Sequence, residues 1–68
     1  MTILETGHAN VDLDEATRQL ELAIHDAQVA YDSIGLGNLD WAHTNTITAR
    51  AEAAAAEAIL RVALSGDQ

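Results

Sequence analysis

Every glycine in this chain sits at position 7, 35, 37 or 66, and there is no proline. The intervals 8–34 and 38–65 therefore hold neither of the residues that break or bend helices. A chain punctuated in this way reads as two helix-length runs joined by GLGN, residues 35–38. Its 68 residues make one domain at most. Two long helices joined by so short a turn must lie antiparallel. The expected fold is all-α, an antiparallel helical hairpin over 11–66, with a flexible tail at 1–10 and a short C-terminal tail at 67–68.

Helix 1 is expected over about 12–34. Asp12 can accept from the free amides of the first turn, and Glu15 three residues on completes a capping box. Leu13, Ala16, Leu20, Ala23, Ala27, Ala30 and Ile34 then follow one another at alternating steps of three and four, an unbroken heptad seam. Ile24 and Tyr31 widen it, while Leu22 and Val29 form a second apolar pair off the seam. Gly35 suits the left-handed residue that ends a helix, with Leu36 as the apolar residue that often follows.

Helix 2 is expected over about 40–65, after a turn at 35–39, with Asn38 or Asp40 as the cap. Its polar residues His43, Thr46, Arg50, Glu57 and Arg61 fall on one line, and Glu52 stands nearly opposite. The rest of the circumference is apolar, mostly alanine in ARAEAAAAEAIL (49–60). A helix apolar around most of its circumference is normally covered on more than one side. Ala51, Ala54, Ala55 and Ala58 would let it close tightly on helix 1 or on a second copy, with Ile47, Ile59, Leu60, Val62 and Leu64 sealing the ends. The simplest closed object is a homo-oligomer, a dimer forming a four-helix bundle. A small chain without cysteine has no disulfide to stabilise it, which favours assembly.

Eleven acids against three arginines and no lysine give a net charge of −8. Binding to DNA or RNA polymers needs a basic footprint, and an anionic membrane surface makes the same demand. Neither partner is expected. The start MTILETGHAN lacks the basic-then-apolar order of a secretory signal, and no run of about 18 apolar residues is free of charge. The expectation is a cytoplasmic protein. Abundant alanine without lysine points to a GC-rich genome.

Few residues carry chemistry. Glu21 and His25 are one turn apart on the outer face of helix 1, a spacing commoner for a surface pair than for metal ligands. His8, His25 and His43 have no nucleophile or acid beside them in a catalytic pattern. No Ser–His–Asp set, phosphate loop or paired-carboxylate pocket is visible, and two helices offer little concavity. The expectation is no enzyme, no cofactor and no metal. Tyr31 and Trp41 flank the turn. They read first as its apolar plug with Ile34, Leu36 and Leu39, and second as a contact hot spot. Arg18 has Asp14 and Glu15 in reach and Arg61 has Glu57, whereas Arg50 has no acid three or four residues away on its own helix and reads first as a bridge to helix 1. Arg18, Arg50, Arg61, Tyr31 and Trp41 are the candidate ligand or partner residues, and Arg50 is the best placed to hold an anion or a partner carboxylate.

The hairpin, with RAEAAAAEAILR in its second half, resembles the small helical-hairpin proteins by which phages sequester nucleotide immune signals. The resemblance implies an oligomer that holds a small anionic nucleotide between subunits. Phosphate contacts would come from Arg18, Arg50 and Arg61, and base stacking from Tyr31 or Trp41. The charge of −8 favours another reading: a non-enzymatic inhibitor or adaptor whose oligomeric bundle docks an acidic face, including Asp14, Glu21, Asp26 and Asp32, on a protein with a basic surface. Nucleotide sequestration is the alternative, and a metal-binding bundle through Glu21 and His25 the second alternative.

Overall fold

Alanine recurs every seventh residue along both halves of the chain, at 16, 23 and 30 and again at 42, 49, 56 and 63. These two rows are what the hairpin closes on. The computed structural model describes the backbone of residues 2–66 and the side chains of 13–65. It consists of α1 (Thr2–Gly35) and α2 (Leu39–Gly66), packed side by side in a body of 54 × 17 × 11 Å.

Helix α1 is longer than the sequence reading placed it. It begins at Thr2, so the stretch read as a tail is helical from its second residue and Asp12 is not a helix start. Once a helix has nucleated, each further residue adds one hydrogen bond, and a single glycine such as Gly7 costs only about 1 kcal/mol. The Asp12 side chain, and with it the capping box, lies outside the described residues. The Glu15 carboxylate accepts from Arg18 and Gln19.

The turn also ends the helix later than expected. The left-handed residue is Gly37, with φ 79°, and Gly35 stays helical. The Asn38 amide donates to the Ser33 carbonyl at 2.9 Å and the Gly37 amide to that of Ile34 at 3.0 Å. These are the two bonds of a Schellman stop, centred two residues beyond Gly35. Asn38 then caps α2, its side-chain oxygen accepting from the Trp41 amide at 3.1 Å. One residue thus closes the first helix and opens the second, which is why three residues suffice to reverse the chain.

The core is thin. Ala16, Ala23, Ala30, Ala42 and Ala56 are buried, with Ser33 beside them, and Ala56 is 0% exposed. The Ser33 hydroxyl donates to the Val29 carbonyl at 2.8 Å, so its burial leaves no orphan donor. Ala49, Ala55, Ala58, Ile59 and Ala63 are half-buried, whereas Ala51 and Ala54 are exposed. The closing alanines of α2 are therefore mainly the every-seventh row and not the cluster at 51–58.

The seam expected on α1 is half correct. Ala16, Ala23 and Ala30 face α2, but Leu13, Leu20, Ala27 and Ile34 are exposed. Their places between the alanines are taken by Gln19, Asp26 and Ser33, which are half-buried or buried. Helices with alanine at the contact approach closely, and that approach fixes the rotation about each axis. Centring α1 on its alanine row turns the leucines onto the flank.

Candidate functional site

Rotation about the alanine rows gives the hairpin two unlike surfaces. Leu13, Leu20, Ile24, Tyr31 and Ile34 of α1 stand exposed on one flank, Ile24 at 69% and Tyr31 at 74%. An open apolar groove joins Leu20, Ile24 and Ala27 to Thr46, Arg50 and Ala53 of α2. It continues along α1 past Gln28 to Tyr31. On the outer side of α1 stand Asp14, Glu21 and Asp32, all exposed. The Gln28 side-chain amide donates to Asp32 Oδ1 at 3.0 Å and holds that carboxylate in the row.

The arginines separate cleanly. Arg18 grips Glu15 through two hydrogen bonds of 3.2 and 3.0 Å, and Arg61 grips Glu57 at 3.2 and 3.1 Å. These hydrogen bonds hold the Glu15 and Glu57 carboxyls below the ordinary carboxylate range and push both guanidinium groups up. Arg50 has no carboxylate partner among the described residues and lines the groove. Among the described residues it makes no bridge to α1.

The aromatic residues do not plug the turn. Tyr31 and Trp41 are 74% and 53% exposed, and Ile34, Leu36 and Leu39 are exposed with them. The turn closes through backbone bonds and the Asn38 cap, so it needs no apolar plug. Tyr31 belongs to the grooved flank. Trp41, by its place on the helical wheel, shares the other flank of α2 with Thr48, Ala55 and Val62.

Asp26 does not belong with Asp14, Glu21 and Asp32. It stands in the hairpin interface with a side chain 19% exposed, and its Oδ1 meets His25 Nδ1 at 3.2 Å. Glu52 approaches it from α2, half-buried, with Oε1 shut away from solvent and lacking a partner. Burial first, and then the hydrogen bond and charge of the Asp26 carboxyl, push Glu52 above its ordinary value, with His25 opposing. Two facing carboxyls share a hydrogen bond only while one keeps its proton. Sequence reasoning noted that Glu52 broke the polar line but assigned it no partner. The signal was available, since Gln19, Asp26 and Ser33 each follow a row alanine by three, as Asn45 and Glu52 do on α2.

Glu21 and His25 remain exposed on α1, and His25 meets Asp26, not Glu21. His43 is exposed, and the His8 side chain lies outside the described residues. Among the described residues no group of three or more His, Asp or Glu could hold a metal ion, and no helix is long and apolar enough to cross a membrane. Fold and surface together define a two-helix hairpin with one apolar flank and one acidic row. Compared with protein-family models, with curated proteins and with solved structures, the chain matches none of them.

Proposed function

We propose that this chain is a small non-enzymatic binding protein, an inhibitor or adaptor. It acts as an oligomeric helical bundle whose acidic side docks on a protein partner with a basic surface. The observation that carries the reading is the run of exposed carboxylates Asp14, Glu21 and Asp32 along α1, none of which lines the apolar groove. Carboxylates that do not line the groove remain available when the groove is covered. Charge of one sign gathered on one side steers a partner of the opposite sign and sets the rate of encounter. The Glu15–Arg18 and Glu57–Arg61 pairs are locally neutral and contribute little to that field.

The test is retention of a basic protein from the native host by the full chain and by the triple charge reversal Asp14→Lys, Glu21→Lys, Asp32→Lys. These side chains are exposed, so the substitutions leave the alanine interface intact. The wild type is expected to retain the partner and the triple variant to lose it. Equal retention by both would sink the reading.

Nucleotide sequestration has one observation in its favour: Arg50 has no carboxylate partner among the described residues and stands beside an apolar groove that reaches Tyr31. Native mass spectrometry of protein from its own source would then show a nucleotide-sized extra mass, lost in Arg50→Ala.

A further inference from the structure

The grooved flank is an apolar surface running along both helices, and its area and charge say what covers it. The chain exposes 5213 Å². A compact monomer of 7.2 kDa exposes about 4,100 Å². The excess, roughly 1,100 Å², belongs to the elongated hairpin as a whole and leaves room for the ~800 Å² that each partner contributes to a standard stable interface. The radius of gyration agrees, 15.7 Å against about 11 Å for a compact chain of this length. Among the described residues no large side chain is fully buried, and of the leucines and isoleucines that would normally supply a core only Ile59 is half-buried.

Charge restricts the occupant further. The groove residues include no acid, and its one cation, Arg50, has no carboxylate partner among the described residues. The acidic row stands on the outer side of α1. Two chains of charge −8 repel if they meet through that row. Meeting through the groove keeps the rows apart and brings each Arg50 toward a strongly acidic copy.

We propose that a second copy of this chain covers the grooved flank in a two-fold, face-to-face dimer. Its core is built from Leu20, Ile24, Tyr31, Ile34 and Leu60, with Arg50 at the rim. A two-fold interface uses the same patch on both copies, and this patch is an apolar one that spans both helices and bears no carboxylate in its groove. The inference rests on the assembly invoked in the proposed function and names its surface. The result is a four-helix bundle carrying acidic rows on both outer sides.

The experiment is sedimentation equilibrium on the full chain, wild type, Ile24→Glu and Ile47→Glu, over a range of concentrations. Both isoleucines are exposed in the single hairpin, but Ile47 lies on the back of α2. The wild type is expected at twice the chain mass. Ile24→Glu should weaken the dimer at least about 30-fold, the effect of losing one interface hot spot. Ile47→Glu should sediment like the wild type. As a control for unfolding of the Ile24→Glu chain, the wild type is also melted at several concentrations, and its midpoint should rise with concentration. A wild type that stays monomeric with a concentration-independent midpoint overturns the inference, as does a dimer broken by Ile47→Glu and not by Ile24→Glu. A monomer that still loses its basic partner on the triple charge reversal overturns this dimer while leaving partner binding in place. A dimer broken by Ile24→Glu that retains no basic protein does the reverse.

Discussion

Glu52 is the residue that the hairpin accommodates least easily. It is a carboxyl between two helices, with one oxygen shut from water and Asp26 opposite. Its folded value is raised, so its contribution to stability is fully present below the ordinary glutamate value and is lost as pH rises through the folded value. Glu15 and Glu57 have the opposite sign, because their arginine bonds contribute above the ordinary range and fade as pH falls through the lowered folded values. Both of those pairs are exposed and weakly stabilising, so Glu52 governs the mildly acidic side. Thermal midpoints measured from about pH 7 down to about pH 5 should rise for the wild type. Glu52→Gln, which keeps the shape without the charge, should melt higher at neutral pH and lose most of that slope. An unchanged slope in Glu52→Gln would show that another group is responsible. That Asp26 and Glu52 both follow a row alanine by three is legible in the sequence, but which of the polar residues meet across the hairpin depends on the rotation of both helices.

At the scale of elements, the sequence was informative about kind and less so about rotation and ends. Two breaker-free runs around GLGN required two helices, and the structure has them. The stop was placed at Gly35 because it is the first glycine after the seam, but nothing local forces a helix to use the first glycine available. Gly37 takes the left-handed position, which leaves Gly35 as an ordinary helical residue with nothing within 4 Å of an added Cβ. The two glycines should therefore respond oppositely to alanine. Gly35→Ala should raise stability by about 0.5 kcal/mol, since it removes backbone freedom from the unfolded chain. Gly37→Ala should lower it by about 1–2 kcal/mol, the cost of a Cβ in the left-handed region. Urea midpoints of the two variants decide the matter, and equal shifts would mean that the turn is not closed by the Gly37 stop. The seam was misjudged for a related reason. Leucine outweighs alanine on any hydropathy count, yet helices approach most closely where the side chains are small, so the alanine rows fix the rotation and the leucines go to the flank.

For the molecule as a whole, the decisive relation is between its charge and its two surfaces. An apolar flank attracts without regard to salt, apart from the repulsion of two chains at −8, which salt screens. An acidic row attracts a basic partner only through charge, and salt screens that too. The two interactions should therefore respond in opposite directions when ionic strength is raised from about 0.05 M to about 0.5 M. Self-association through the flank should tighten, and capture of a basic partner through Asp14, Glu21 and Asp32 should weaken. Sedimentation and partner retention, measured on one preparation at each salt concentration, read both. If self-association weakened with salt instead, the copies would be held chiefly by Arg50 reaching carboxylates across the contact, and Arg50→Ala would then dissociate them. Opposite responses follow only if the rows and the flank are separate surfaces in solution, and the alanine rows are what separate them. Alanine at every seventh position lets the two helices close on a strip too narrow to bury anything large. Leu20, Ile24, Tyr31 and Ile34 are thereby left on the grooved flank and Trp41 and Val62 on the other, while Asp14, Glu21 and Asp32 stand exposed outside the groove.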